Sequence, residues 1–334
     1  MKNYLLFILP LVVTACVKDE FEGPDLNDLY GELEVLADLE VVGSGADFSA
    51  GETIHFTAEF SKQVDWTLTV VGLNSGSTKI ITGKSNAIDE ANSLWDGSSS
   101  TLPFFVAEDC TVDLTFEMES DNEQAQSTTL TIAGARVYND ASTRLITDFE
   151  NGFNPNFTGF FQAGTTDALS TGGAGQGTKY LSQFGTVNWD WLIGYKDYWS
   201  ASWFDQDPLV NDPSQVYFNI MIKGDSTLSD ATGLPNSLFK LEFWEDDNQD
   251  GFNSEGAEDK YSYEFDVDWT GWKMISIAYD DEDKLVLEGA GGDVIRSPQK
   301  ISNVRTLLLA NPESGYAKAD VDFLIWSIGA PILN

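Results

Sequence analysis

Short runs in which apolar and polar residues alternate recur along most of the chain. A period of two is that of a β-strand with one face turned to a core. The pattern predicts strands over Glu32–Val42, Thr53–Phe60, Asp65–Val71, Lys79–Thr82, Cys110–Met118 and Ser127–Ile132. It breaks at Ala135–Thr143 and resumes at Leu145–Glu150, Lys179–Gln183, Asp190–Gly194, Gln215–Lys223, Ser237–Trp244, Tyr261–Phe265, Lys273–Tyr279, Thr306–Leu309 and Val321–Ile328. Clusters such as Gly43-Ser44-Gly45-Ala46-Asp47 and Gly72–Ser77 separate the runs as turns. The expected fold class is all-β, with one domain over 30–134, a linker over 135–143 and a second domain over 144–334. Two domains also suit a chain of 334 residues.

The first residues follow another pattern. Lys2 precedes the apolar run Tyr4–Val13, which is too short to span a bilayer, and Val13-Thr14-Ala15 leads into Cys16. Residues 1–15 therefore read as a signal peptide. Its end resembles the lipobox of bacterial lipoproteins, which implies Cys16 as the lipidated first residue of the mature chain. Val17-Lys18-Asp19-Glu20 resembles the signal that sends lipoproteins to the outer face of the outer membrane in glycan-degrading Gram-negative bacteria. The polar segment to residue 29 reads as a tether, with acyl chains as the only expected membrane contact.

Composition narrows the chemistry. The formal net charge is −36, from 18 basic and 54 acidic residues. Such a chain repels the phosphates of nucleic acid, and long acidic polymers too unless calcium neutralises part of the carboxylate excess, whereas neutral glycans suffer no repulsion. His55 is the only histidine, which removes Ser-His-Asp and Cys-His catalysis and His-rich zinc sites. With Cys16 lipidated, Cys110 has no disulfide partner and reads as a small buried hydrophobe. The glycine run 172–177 lacks the Lys-Ser/Thr ending of a phosphate loop and reads as a connection.

The densest aromatic stretch is Thr186–Phe204, which holds four of the ten tryptophans. Trp189 and Trp191, two apart, would share a face on a strand, as would Trp199 and Trp203, with a bend at Gly194–Tyr198 between the pairs. Indole and phenol rings cover the C–H faces of a pyranose, and polar neighbours take its hydroxyls. The candidate glycan-binding residues are accordingly Trp189, Trp191, Trp199, Trp203, Tyr195 and Tyr198, with Asn188, Asp190, Lys196 and Asp197 as hydrogen-bonding partners. The competing reading places these tryptophans in the core, because tryptophan is highly buried on average.

Short strands at this spacing, with Trp95-Asp96-Gly97 and Leu102-Pro103-Phe104-Phe105 before Cys110–Met118, look like the immunoglobulin-like spacer domains of bacterial surface proteins. The opening Leu145–Glu150, the Trp-rich stretch, Gly271-Trp272-Lys273-Met274-Ile275-Ser276-Ile277 and the closing Ala319–Trp326 resemble jelly-roll, galactose-binding-like carbohydrate-binding modules. The whole is similar to the surface glycan-binding lipoproteins of polysaccharide-utilisation systems. The resemblance implies a polysaccharide or oligosaccharide ligand, with a neutral β-glucan as the guess. It also implies an outer-membrane importer and companion surface lipoproteins as partners.

Calcium has two candidate sites. Asp246, Asn248 and Asp250 occupy positions 1, 3 and 5 of an EF-hand-like loop with Gly251 at 6, although position 12 is Ala257, where Glu255, Glu258 or Asp259 would have to substitute. The resemblance to jelly-roll modules implies the other, Asp148 or Glu150 with Asp322. Two further functions stay open. One is a jelly-roll glycoside hydrolase or lyase using Glu264, Asp266 and Asp268 on one strand face, with an Asp where such enzymes carry a Glu acid. The other is a structural or adhesive surface protein whose tryptophans are core.

Overall fold

The structure is a computed structural model that describes residues 31–118, 121–138, 140–200, 209–252, 254 and 256–333. Cys16, the leader, the tether and Trp203 lie outside the described residues. The fold is all-β, with antiparallel pairing throughout its sheets. Among the described residues no helix is long and apolar enough to cross a membrane.

The N-terminal half has strands β1 (Val35–Val42), β2 (His55–Gly72), β3 (Thr78–Ile88), β4 (Glu108–Phe116) and β5 (Gln126–Ile132). All five join one sheet in the order β1-β2-β4-β5, with β3 also on β2. Two strands were expected over Thr53–Phe60 and Asp65–Val71, yet β2 runs unbroken through Ser61–Val64. A register shift against β3 between Glu59 and Val64 lets one strand pair along its whole length. Its alternate residues Phe56, Ala58, Phe60, Val64, Trp66, Leu68 and Val70 fill the core of this half. Cys110 lies in that core, and burial pushes its thiol up to about 12. In the native protein it should therefore resist a thiol reagent at neutral pH and react only as the chain unfolds. Stoichiometric labelling without loss of circular dichroism would contradict the placement.

The C-terminal half is a sandwich of two sheets, all-β as the strand pattern predicts and in the jelly-roll arrangement that the resemblance implies. One sheet has six strands in the order β15 (Val286–Ala290), β13 (Asp259–Asp266), β12 (Ser237–Glu245), β16 (Ile301–Ala310), β10 (Leu192–Trp199) and β7 (Phe157–Phe161). The other contains β14 (Gly271–Ala278), β11 (Val216–Gly224), β18 (Asp320–Ile328), β9 (Lys179–Thr186) and β17 (Tyr316–Lys318). To these β6 (Thr143–Thr147) adds on β18 and β8 (Thr166–Thr171) on β9. Between the sheets sit Phe218, Phe239, Phe243, Tyr279, Val304 and Trp326, all essentially inaccessible.

A third cluster decides which outer face of the sandwich is free. Phe104, after the N-terminal half's Pro103, and Tyr138 pack their rings 4.7 Å apart, and both lie edge-on to Phe323 of β18 at 5.5 and 5.7 Å. Met221 and Ile325 complete the patch. The seven-stranded sheet thus spends its outer surface on the N-terminal half and the connecting segment, and the outer surface of the six-stranded sheet is turned the other way.

Candidate functional site

Strand alternation sorts the six-stranded sheet into two faces. On β12, Phe239, Leu241 and Phe243 enter the core, while Lys240, Glu242 and Trp244 face out. On β16 the inward residues are Val304, Thr306 and Leu308, and the outward ones Asn303 and Arg305. On β10, Tyr198 points in, and Tyr195 and Asp197 point out beside Phe160 and Thr158 of β7.

Register places the outward charges against their opposites. Arg305 lies directly across from Asp197 on one side and Glu242 on the other. Its guanidinium forks onto Asp197 (Nε to Oδ1 2.7 Å, Nη2 to Oδ2 3.2 Å), and its Nη1 stands 3.7 Å from Glu242. Asn303 donates a further 2.7 Å bond to Asp197. Lys240 and Lys260 bridge Glu242 to Glu288 at 2.7 to 3.6 Å. Three cations thus meet three carboxylates across five strands, a balanced row in a chain of net charge −36, while Glu264 and Asp266 on the same face of β13 stay exposed. Opposed charged pairs of this kind stabilise a sheet and hold its side chains in one geometry.

Aromatic rings line the strip. Lys260 lies 5.1 Å from the Trp244 ring and Arg305 4.3 Å from that of Tyr195. Tyr195 sits across from Phe160, ring to ring at 6.2 Å, and Phe160 in turn is 6.2 Å from Trp189. At this edge of the sheet Trp189 is 68% exposed, Trp191 59% and Phe160 40%. The larger concavities lie elsewhere. One of about 730 Å³ borders β15 and the 280–297 segment, and one of about 400 Å³ lies beside Lys62–Asp65 in the N-terminal half.

The expected site residues fall into three groups. Trp189 and Trp191 are displayed, but from a bend before β10 rather than from a strand. Asn188 and Asp190 are exposed beside them; Asn188 donates to the Ala163 carbonyl, and Asp190 accepts from the Trp191 amide. Tyr195 and Trp199 are half-buried, with the Trp199 indole N–H donating to Thr158 at 3.0 Å.

The remaining members are corrections. Gly194–Tyr198 is the middle of a paired strand, not a bend. Gly194 is there because a Cβ would strike the Phe161 ring and the Phe160 carbonyl. Tyr198 belongs to the core, its ring 4.8 Å from Phe157, and burial raises its hydroxyl pKa well above the usual value. Lys196 is buried in an ion pair with Asp167, against the rings of Phe153 and Phe161. Asp197 faces the strip, but its carboxylate is taken by Arg305 and Asn303, so it positions Arg305 instead of meeting a ligand. The strip's own residues, Phe160, Trp244, Arg305, Lys240, Lys260 and Glu242, were not anticipated. The signal lay in Lys240-x-Glu242-x-Trp244 alternating with Phe239-x-Leu241-x-Phe243.

Of the acids considered for hydrolysis, Glu264 and Asp266 share the outward face of β13 and Asp268 lies past the strand end. All three are exposed. For calcium, one carboxylate oxygen from each of Asp246, Asp250 and Glu258 lies within 4.8 Å of the others. Asp148, Glu150 and Asp322 do not converge in that way. Asp322 is buried, which pushes its carboxyl up to about 7, and its Oδ1 has no partner. Glu150 Oε1 accepts from the Thr178 and Lys179 amides, its Oε2 from the Thr178 hydroxyl and its backbone carbonyl from Lys179 Nζ.

No protein-family model matches the chain, and no curated protein does. Among solved structures the chain is similar to the family 11 carbohydrate-binding module of Clostridium thermocellum, determined with a β-1,3-1,4-mixed-linked tetrasaccharide. The identity is 18% and the TM-score 0.35, over 57% of this chain and 98% of that one. It is similar also to the N-terminal CBM22 tandem domain of Paenibacillus barcinonensis Xyn10C, at 12% identity and a TM-score of 0.33 over 90% and 94% of the two chains. A glycoside hydrolase domain from Streptococcus pneumoniae is similar at 11% identity and a TM-score of 0.30, over 51% of this chain and 21% of that one. Likenesses of this size transfer no ligand and no activity to this chain.

Proposed function

We propose that the C-terminal sandwich binds a neutral glycan without cleaving it, along the aromatic edge and charge-paired outer strip of its six-stranded sheet. The observation that carries this reading is the exposure of Trp189 and Trp191 beside Phe160 and Tyr195. The same chain buries Trp66, Trp95 and Trp326 completely. A cluster of large exposed rings marks a contact surface, since burying them elsewhere would be favourable. The aromatic edge at Trp189, Trp191 and Phe160 is open and suits a polymer lying across it better than a small molecule, which calls for an enclosing pocket. Beside it Lys240, Lys260 and Arg305 are partly exposed, and their pairing with carboxylates holds them as donors for hydroxyl groups. Within the same reading, Cys16 carries the lipid that anchors the chain to the outer membrane, facing the exterior. The N-terminal half is then an immunoglobulin-like spacer, and the captured glycan passes to an outer-membrane importer with companion surface lipoproteins.

The test is native electrophoresis of the purified chain through gels containing a panel of neutral and acidic polysaccharides. The expected result is retardation by a neutral glycan, β-glucans first, with no shortening of that glycan on prolonged incubation. Mobility unchanged in every gel would overturn the reading in favour of a structural or adhesive protein. Shortened chains would favour a hydrolase.

A further inference from the structure

The β12–β13 hairpin ends in acids on both of its sides. Glu245, Asp247 and Asp259 form one triad, and Asp246, Asp250 and Glu258 the other. The first is partly compensated by fixed donors, although Glu245 Oε2 is buried and accepts no hydrogen bond. Lys300 Nζ lies 2.7 Å from Asp247, Asp259 accepts the amides of Gly292 and Val294, and Glu245 accepts from Tyr279 and the Ser297 amide. The second has no ion pair among the described residues. Its donors are backbone amides, Asp250 and Gly251 to Asp246, Phe252 to Asp250 and Ser254 to Glu258, together with the Asn248 side-chain Nδ2, which donates to Asp250 Oδ2 at 3.1 Å.

Glu258 sets this triad apart from an ordinary acidic loop. The residue is 1% exposed, and its Oε1 accepts no hydrogen bond. An isolated carboxylate oxygen out of contact with water is costly unless a cation or donor meets it. A carboxylate oxygen of Glu258 converges with one each from Asp246 and Asp250 inside 4.8 Å. Calcium–oxygen distances of about 2.3–2.6 Å put any two ligands of one ion no more than roughly 4.6–5.2 Å apart, and the spacing of the three oxygens satisfies that condition. Asn248, at the third position of the loop, accepts the Asp250 amide on its Oδ1 at 2.8 Å. Gly251 turns the chain at φ 80°, the left-handed region in which glycine is unstrained. The acid missing at Ala257 is thus replaced by its neighbour, buried and directed into the loop.

We propose that Asp246, Asn248, Asp250 and Glu258 bind a calcium ion at the end of the β12–β13 hairpin. Strand alternation puts Asp246 and Glu258 on the same side as Trp244 and Lys260, so the ion sits at one end of the outer strip and ties the two strands that carry those residues. The site stands on its own residues and does not depend on the glycan reading. Calcium is favoured over magnesium because carboxylates on a loop adapt to an irregular shell, whereas magnesium demands a near-ideal octahedron and keeps its water.

The test is calorimetric titration of the full chain with calcium chloride, and separately with magnesium chloride, after removal of divalent ions by chelation. Saturable calcium binding is expected, weakened at least tenfold by Asp250→Asn and by Glu258→Gln, and unchanged by Asp65→Asn in the N-terminal half. Circular dichroism checks that each variant folds. If Glu258→Gln does not fold, the exposed Asp250→Asn carries the test alone. No binding at millimolar calcium, binding unaltered in Asp250→Asn, or equal affinity for magnesium would each overturn the proposal.

Discussion

Trp189→Ala and Trp191→Ala are each expected to weaken glycan binding about 30-fold or more while leaving the melting transition unmoved. The binding loss follows from the behaviour of aromatic anchors at contact surfaces, where removing one costs ~2 kcal/mol or more. The unchanged stability follows from exposure. These indoles pack against little, and surface substitutions stay within about 0.5 kcal/mol. Trp326→Ala should do the reverse. Its ring is inaccessible and lies 5.1 to 6.0 Å from Phe218, Phe243 and Tyr279, so truncation leaves a cavity costing about 3–5 kcal/mol. Affinity electrophoresis and urea unfolding on the three variants separate the two classes of tryptophan. If Trp189→Ala and Trp191→Ala both bind like the parent, the platform lies elsewhere on the chain. If both unfold it, the rings are core and the structural reading gains.

Arg305→Ala should destabilise the sandwich by about 3–5 kcal/mol, because it strands buried partners. Asp197 is 4% exposed and would keep only Asn303, and Glu242, 5% exposed, would lose the cation directly opposite it. The Tyr195 ring would also lose the guanidinium stacked on it. Arg305→Lys keeps the charge but not the planar fork, and is expected to recover only part of the loss. Replacing Asp197 and Arg305 together by apolar residues of similar size should cost less than Arg305→Ala alone, since no buried charge is then left unpaired. Urea unfolding of the set decides the matter, and a change under 0.5 kcal/mol for Arg305→Ala would mean that the network adds nothing to stability. Weakened glycan binding in Arg305→Lys with the fold retained would further mark the strip as part of the contact surface.

Most strands were legible because alternation is a local signal. The runs over Gln215–Lys223, Ser237–Trp244 and Val321–Ile328 became β11, β12 and β18 with no end moved by more than one residue. Four strands went unread for local reasons as well. Phe157–Phe161 has a glycine at its centre and Thr166–Thr171 is polar. Val286–Ala290 and Tyr316–Lys318 are short, and pairing alone makes them strands. In the site, the presence of tryptophans near residue 190 was plain, but their surroundings were not. Lys196 and Asp197 are adjacent polar residues in the chain, yet one turns into the sandwich onto Asp167 and the other outward onto Arg305.

What the sequence by itself determined is the class of the fold and the chemistry open to it. Period-two alternation makes strands, a lone histidine leaves no residue for a second His-dependent role, and an excess of carboxylates favours an uncharged ligand over an acidic polymer. Tertiary structure alone decided which rings are free. Tyr198 and Trp189 are equally aromatic and nine residues apart. Tyr198 is closed off because a second sheet packs over it, and Trp189 is open because the bend before β10 lifts it past the sheet edge. The same holds for charge. Six acidic residues at the end of one hairpin divide into a triad in which Asp247 pairs with a distant lysine and a triad with no ion pair among the described residues. Lys300 reaches only one side of a strand pair whose alternate residues face opposite ways.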